Sequence, residues 1–349
     1  MKKVTIQDIA DALGISRNTV SKAINNSEGL ADSTREKILQ KAVEMGYKQF
    51  SYVASLSGSG IPRPASAGPL EPPAAFGEIA LFTTNLSMQS NHFAVPMLDR
   101  FKQELALLGY TLNMYKVDSE NLERHTLPAA FDVDQASAIM CIEVFDWAYS
   151  EMVCGLGLPV LFVDGPNKRS GDSLPADQLY MDSTAGITKL VNEMLRKGKR
   201  RIGFIGDYEH CQSFFERYTA FRSAMTLASV PVDERFCLKM ASPDMDAPLA
   251  ALPELPDLFI CANDFIAMDT MQSLRKLGKS VPGDVLLCGF DDAPESRIMT
   301  PALTTVHIHT QIMAFTAIHL LQTRMREPSL DYRTVYTATE LIYRDSTKC

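Results

Sequence analysis

The stretch that decides the fold of the N-terminal part is residues 4–25, V-T-I-Q-D-I-A-D-A-L-G-I-S-R-N-T-V-S-K-A-I-N. Thr5 is a suitable N-cap for a first helix, because Asp8 follows it at the spacing of a capping box. Gly14 can adopt the left-handed conformation that ends this helix, and Ser16 can cap a second one. Apolar residues recur at helical spacing in both segments, at positions 6, 9, 10 and 13 and at positions 20, 23 and 24. The pattern predicts two short helices joined by a tight turn, the helix-turn-helix arrangement.

The second predicted helix carries polar side chains on the face opposite its apolar residues. Arg17, Asn18 and Lys22 suit base edges in the major groove, because Arg and Lys match guanine acceptors and Asn can match adenine. Short polar residues near helix starts suit phosphate contacts, which position a protein without reading sequence. These are Thr5, Ser16, Ser21, Asn25 and Thr34. A solvated helix face explains any one of them alone, but their register with the turn and the caps predicts DNA binding.

Residues 4–25, together with T-R-E-K-I-L-Q-K-A-V-E-M-G-Y at 34–47, closely resemble the head of the lactose/galactose repressor (LacI/GalR) family. In that family a hinge helix follows the head and wedges a leucine into the minor groove of the operator. Leu56 stands where the resemblance places this leucine. The Pro-Asn and Ala-Arg elements of the family hinge are absent from residues 47–56. A leucine in a tether with no DNA contact is therefore the alternative.

A linker rich in Pro, Gly, Ala and Ser follows, S-G-S-G-I-P-R-P-A-S-A-G-P-L-E-P-P-A-A-F. Such a composition cannot form a packed core. We therefore divide the chain into a head with its hinge at 1–56, a linker at 57–77 and a body at 78–349. Residues 1–50 hold eight Lys and Arg against six Asp and Glu, whereas the whole chain carries −8. A weakly basic head on an acidic body is compatible with DNA binding by the head.

The body alternates short β-rich runs with longer helical patterns, which is typical of doubly wound parallel α/β sheets. Strands are predicted at 78–83, 111–117, 138–142, 160–163, 201–205, 258–261 and 285–289. Helices are predicted at 93–108, 183–197, 213–228, 264–277 and 311–326. Roughly 270 residues are too many for one such sheet, so we expect two lobes with a ligand cleft at the carboxyl ends of their strands.

The family resemblance continues through L-F-V-D-G at 161–165, R-R-I-G-F-I-G at 200–206, C-A-N-D-F-I-A at 261–267 and V-P-G-D-V-L-L-C-G-F-D-D at 281–292. It implies a two-lobed body built like a periplasmic sugar-binding protein. The residues that match effector-binding positions of the family are Phe93, Asp164, Arg217, Asn263 and Asp291. Carboxylates accept hydrogen bonds from hydroxyls and Arg donates in a fixed fork, so the set suits a polyhydroxylated ligand. Capping of the following helices is the alternative for the strand-end Asp and Asn residues.

The expected function is that of a DNA-binding transcriptional regulator, a repressor in the family's commoner mode. A homodimer would bind a palindromic double-stranded operator, and a small carbohydrate effector would change its operator affinity. Control by a protein co-repressor docking on the body is an alternative. A Rossmann-type enzyme is disfavoured, because no G-x-G-x-x-G or P-loop follows a predicted strand. A transport binding protein would lack the head and need an export signal.

Cofactor, metal and membrane partners are not expected. The seven cysteines are scattered without a C-x-x-C pair, so the sequence suggests neither a disulfide framework nor a zinc site. No run of 18 apolar residues and no signal peptide is visible. The expected location is the cytoplasm.

Overall fold

The computed structural model describes residues 5–24, 77–85, 94–168, 171–239 and 245–348, together with residues 34, 37, 38, 41, 42 and 45. Of residues 24 and 94–96 it describes the backbone alone.

The head contains the predicted pair of helices, α1 (Ile6–Leu13) and α2 (Arg17–Ile24). Thr5 and Asp8 form a reciprocal capping box, and Gly14 ends α1 in the left-handed conformation with φ 64°. The Ser16 hydroxyl accepts a hydrogen bond from the Thr19 backbone N–H at 3.0 Å. The apolar faces bury one another and two residues of the next helical segment; the cluster includes Ile9, Ala10, Val20, Ala23, Ile38 and Ala42. The predicted helix-turn-helix is confirmed.

The first lobe of the body is built on a parallel sheet with the strand order β11-β5-β4-β3-β1-β2, in which β11 (Thr334–Thr337) comes from the last part of the chain. Its elements up to β5 are β1 (Gly77–Thr83), α3 (Ala94–Leu107), β2 (Tyr110–Lys116), α4 (Ser119–Arg124), β3 (Ala136–Ile142), α5 (Trp147–Cys154), β4 (Val160–Val163) and β5 (Asp177–Met181). The inner strands are buried along nearly their whole length, as expected for a parallel sheet covered on both faces.

The second lobe is built on a smaller parallel sheet with the order β7-β6-β8-β9. Its elements are α6 (Ala185–Arg196), β6 (Ile202–Ile205), α7 (Gln212–Leu227), a 3₁₀ turn (Glu234–Phe236), β7 (Cys237–Leu238), α8 (Asp246–Ala250), β8 (Leu258–Cys261), α9 (Asp264–Lys276), β9 (Leu286–Cys288) and α10 (Pro294–Ile298).

The last part of the chain ties the lobes together, through β10 (Thr305–Ile308), α11 (Thr310–Arg326), β11 (Thr334–Thr337), β12 (Thr339–Ile342) and a 3₁₀ turn (Asp345–Thr347). Helix α11 packs on α3 and on β3, β4 and β5 of the first lobe, whereas β12 pairs antiparallel with β10 and packs on α6 of the second. The chain therefore crosses between the lobes after β5, after β10 and after β11. Two α/β lobes joined in this way confirm the predicted fold class.

The predicted strands and the five long helices match the structure with small shifts at their ends. The strands that were not predicted include β5 and the strands of the last part of the chain, β10, β11 and β12. Strand β5 begins with two polar residues, Asp177 and Gln178. Residues of these types are mostly exposed in proteins, yet both are buried here. Asp177 is tolerated there because Arg324 and Arg333 bind it. The Asp177 carboxylate accepts from Arg324 Nε at 3.2 Å, and from Arg333 through its backbone N–H at 2.8 Å and Nη2 at 3.0 Å.

This buried ion cluster fixes the end of α11 and the start of β11 to the first lobe. Burial by itself would raise the pKa of Asp177, but the hydrogen bonds from Arg324 and Arg333 lower it below its ordinary value. The carboxylate is therefore stabilised in the charged state. This contribution to stability is present above the ordinary pKa of an aspartate and is lost as the pH falls through the lowered one.

We predict that Asp177→Ala lowers the free energy of unfolding by about 3–5 kcal/mol, because it leaves two guanidinium groups without their carboxylate. Urea unfolding followed by circular dichroism measures the change. Glu120→Ala, which breaks an exposed pair with Arg124, is the control and should leave the curve nearly in place. Equal midpoints for the two variants would contradict the structural role of Asp177.

Candidate DNA-binding surface and effector cleft

The exposed face of α2 carries the predicted base-contacting residues. Arg17 and Asn18 are exposed and Lys22 is half-buried, while Val20 and Ala23 point into the head. The helix therefore presents donors and acceptors of the kind that read base edges in a major groove.

No described helix is long and apolar enough to span a membrane.

The residues predicted to contact the DNA backbone fall into two groups. Thr5 and Ser16 are exposed at the starts of α1 and α2, where their hydroxyls also serve as caps. Ser21 and Thr34 are half-buried. Asn25 and Leu56, and the effector candidate Phe93, lie outside the described residues.

The cleft between the lobes is closed by a hydrogen bond that joins them. Asp164 follows β4 of the first lobe, and Ser213 and Arg217 lie one turn apart on α7 of the second. The Ser213 hydroxyl donates to Asp164 Oδ2 at 2.9 Å, and both residues are buried. The carboxyl end of β4 therefore faces the start of α7, where a doubly wound fold binds its ligand.

Arg217 is the most constrained side chain of the cleft, with 3% of its side-chain surface exposed. Its Nη1 donates to the Ala262 carbonyl at 2.6 Å, and its guanidinium carbon lies 3.6 Å from the centre of the Phe290 ring. Its Nη2 is 3.7 Å from Asp291 Oδ1. The arginine therefore connects the ends of β8 and β9 to the contact with the first lobe.

Two buried polar atoms of this cluster lack a hydrogen-bond partner among the described residues, Arg217 Nε and Asp164 Oδ1. An unsatisfied buried donor or acceptor costs about 1–3 kcal/mol. A donor and an acceptor left open in the same cleft can be satisfied by a ligand that both donates and accepts hydrogen bonds, such as a polyol.

The backbone is strained at the same place. Asp164 has φ 53° and Asp291 has φ 114°, both in the region that favours glycine. Asp291 is held there because its N–H donates to the Val306 carbonyl at 2.9 Å. Such positions cost on the order of 1–3 kcal/mol each and concentrate at functional sites.

Burial also shifts the acidity of both carboxyl groups. It raises the pKa of Asp164 to about 7, although Arg217 and the hydrogen bond from Ser213 oppose the shift. It raises the pKa of Asp291 to about 8, again against Arg217, and the nearby Asp264 and Asp164 add to the increase. Two ionised carboxylates and one guanidinium carry a net charge of −1. These three groups are therefore neutral at pH 7 only if the two carboxyl groups together hold one proton.

The structure thus brings together three of the predicted effector residues, Asp164, Arg217 and Asp291. The Asn263 side-chain oxygen itself accepts from the Ile266 N–H at 2.9 Å, which is the capping role considered as the alternative. Asp264, beside it, accepts from the Thr305 hydroxyl and the Ala293 N–H.

Two residues of the cleft were not predicted as site residues, Ser213 and Phe290. Ser213 precedes Arg217 by four residues, so the helical period places both on one face of α7. Phe290 directly precedes Asp291 in the motif C-G-F-D-D. Both signals are present in the sequence, but neither specifies a contact across space.

Comparison with protein-family models finds two matches. Residues 5–49 match the model described as "Bacterial regulatory proteins, lacI family". Residues 191–347 match the model described as "Periplasmic binding protein-like domain". The matches cover the head and the second lobe with the crossing segments.

Characterised proteins match along the whole chain. The probable transcriptional repressor ExuR of Bacillus subtilis (strain 168) is 24% identical over 99% of this chain and 98% of its own length. The transcriptional repressor PurR of Haemophilus influenzae (strain Rd) is 25% identical with the same coverage. Among solved structures, the CelR–cellobiose complex has a TM-score of 0.68 at 20% identity, covering 99% of this chain and all of that one. The lac repressor dimer bound to operator and the anti-inducer ONPF has a TM-score of 0.65 at 19% identity and covers both chains completely.

We predict that the variant with Arg17, Asn18 and Lys22 all changed to Ala loses its sequence preference, because each good base contact contributes about 1–3 kcal/mol of discrimination. Selection from a random duplex pool, with both proteins in parallel, measures the preference. The control is Arg235→Ala with Lys279→Ala, which removes two positive charges from the body surface. An unchanged consensus for the triple variant would remove α2 from the base-reading role.

We also predict that Asp291→Asn stabilises the ligand-free protein relative to wild type as the pH rises from 5 to 8. In this interval the folded carboxyl of Asp291 holds a proton that the unfolded chain has lost, so the stability of the wild type falls with pH. Thermal melting should show a gain of roughly 2–4 °C, which corresponds to about 1 kcal/mol. Melting temperatures that change in parallel for both proteins would contradict the raised pKa.

Proposed function

Because the chain belongs to the LacI/GalR family of DNA-binding transcriptional regulators, we propose that it is a repressor whose operator affinity is set by a small polyhydroxylated effector, a sugar or sugar derivative. The effector binds between the lobes, on Asp164, Arg217 and Asp291. The head and hinge at 1–56 bind DNA, residues 57–77 act as the linker, and the body at 78–349 senses the effector and forms a homodimer. Repression is proposed because ExuR and PurR are both named transcriptional repressors.

One observation carries the effector site: the buried Arg217 guanidinium, the buried Asp164 carboxyl and the half-buried Asp291 carboxyl, drawn from both lobes, meet at strand ends. Arg217 Nε and Asp164 Oδ1 have no hydrogen-bond partner among the described residues. A ligand that fills these bonds touches both lobes, so it stabilises one arrangement of the lobes over others. Differential contact of this kind is what an effector needs in order to shift an equilibrium.

The charge of the cleft favours an uncharged ligand. Asp164 and Asp291 face a single guanidinium, and Glu143 and Glu216 further raise the pKa of Asp164. Even when Asp164 and Asp291 share a proton, Glu143 and Glu216 leave the cleft without net positive charge, so a phosphate or carboxylate would bring uncompensated negative charge into a medium that screens it poorly. Neutral sugars should therefore bind better than their phosphorylated counterparts.

Thermal melting against a panel of neutral sugars and matching sugar phosphates tests the proposal, because a ligand of the native state raises the melting temperature by mass action. At a ligand concentration 100 times the dissociation constant, the stabilisation is about 2.7 kcal/mol. A flat response to the entire panel would contradict a sugar effector and leave the assignment of the head untouched.

We predict that Arg217→Ala abolishes the melting shift produced by any active sugar while DNA binding persists. The side chain is the fork that holds the ligand, and it lies far from the head in sequence. Arg222→Ala is the matched control, because Arg222 lies on the same helix and contacts Tyr218 and Glu234 instead of the cleft. A full response in the Arg217 variant would exclude this arginine from the binding site.

A further inference from the structure

A second set of polar contacts joins the lobes beside the cleft, on the neighbouring face of α7. The Lys168 backbone N–H, in the loop after β4, donates to Gln212 Oε1 at 3.0 Å. Gln212 Nε2 donates to Glu216 Oε1 at 3.0 Å, and the Tyr336 hydroxyl of β11 donates to the same oxygen at 2.8 Å. The bonds thus run from the first lobe to α7 of the second and back to the first.

The first-lobe side of these contacts is preassembled. Tyr336 stacks on Tyr180 with ring centres 5.6 Å apart, and the Lys168 ammonium lies 5.3 Å from the centre of the Tyr180 ring. The Lys168 ammonium is also 3.5 Å from the Thr334 hydroxyl. Gln212 and Glu216 therefore dock onto a surface whose partners are already held in place, which lowers the entropic cost of closing it.

The Glu216 carboxylate has fewer hydrogen bonds than a buried carboxylate with a purely structural role would have. Glu216 Oε2 is buried without a hydrogen-bond partner among the described residues. Tyr336, however, is 50% exposed, so water reaches this carboxylate as soon as the lobes separate. A contact of few hydrogen bonds that water can replace opens at little cost, unlike an apolar interface.

We propose that Gln212, Glu216 and Tyr336, with the backbone of Lys168, form a polar latch between the lobes. Gln212 and Glu216 each directly precede a cleft residue, Ser213 and Arg217. By holding α7 against the first lobe, the latch positions Ser213 against Asp164 and turns Arg217 toward the ligand. Gln212, Glu216 and Tyr336 are positioning residues in this role. The link to effector binding rests on the proposed function, whereas the latch itself can be tested without a ligand.

Hydrogen exchange of the ligand-free, full-length protein, followed by mass spectrometry, tests the latch. Tyr336→Phe removes one hydrogen bond and keeps the stacked ring; Glu216→Ala removes the acceptor that Gln212 and Tyr336 share. Loss of one such bond shifts an opening equilibrium roughly two- to tenfold. We expect exchange to accelerate by that factor at residues 165–168 and 208–213 in both variants. Exchange in β6 and in the second half of α7 should stay as in wild type.

Tyr343→Phe is the matched control, because it removes a Tyr–Glu hydrogen bond, to Glu193, that lies within the second lobe. The double variant of Glu216→Ala and Tyr336→Phe should exchange no faster than Glu216→Ala alone, since both changes break the same bond. Should Glu216→Ala fail to fold, Glu216→Gln with Tyr336→Phe provides the comparison. Unchanged exchange at 165–168 in Tyr336→Phe, or an equal acceleration in Tyr343→Phe, would overturn the latch.

Because this experiment uses no ligand, a sugar panel without a hit would leave the latch standing. Accelerated exchange together with a failed panel would support the latch and contradict the sugar effector. An active sugar with unchanged exchange would mean that the cleft operates without the latch. The two proposals can thus fail separately.

Discussion

A buried guanidinium needs acceptors, and those of Arg217 hold the helix that makes the contact between the lobes, α7, in place within the second lobe. The Ala262 carbonyl, the Phe290 ring and the Asp291 carboxyl fix it at the ends of β8 and β9. One turn earlier on the same helix, Ser213 reaches Asp164 of the first lobe. Helix α7 therefore carries both the arginine of the cleft and the serine that contacts the first lobe. The cleft chemistry and the closure of the body are in this sense one constraint.

The strain and the raised pKa values of the cleft have the same origin. Asp164 and Asp291 follow strands in conformations of positive φ, and they face one guanidinium in a largely buried cleft. Without a ligand the cleft holds an open donor, an open acceptor and at least one extra proton. Each of these is a cost that a polyhydroxylated ligand can offset while touching both lobes. Under the proposed function, the ligand would act by population shift, and its coupling to DNA binding would require a few kcal/mol.

Much of this organisation could be predicted from the sequence. The caps at Thr5 and Ser16, the turn at Gly14 and the apolar periodicity define the head by local rules, because a short helix depends on its nearest neighbours. Asp164 and Asp291 follow apolar strands, so parallel-sheet geometry places each at the carboxyl edge of the sheet in its own lobe, where the cleft was expected. Strand β5 escaped prediction because Asp177 is buried only through partners 147 and 156 residues away. The latch escaped it for the same reason, since no local pattern pairs Glu216 with Tyr336.

The central claim is that effector binding between the lobes changes the affinity of the head for its operator. The most direct test is to measure the dissociation constant for the DNA enriched by duplex selection, at fixed salt, with and without a sugar that raises the melting temperature. We predict at least about a fivefold change, and by linkage the same factor in sugar affinity when the DNA is bound. Equal affinities with and without a saturating sugar would contradict the claim, even if the head and the cleft each bind as described.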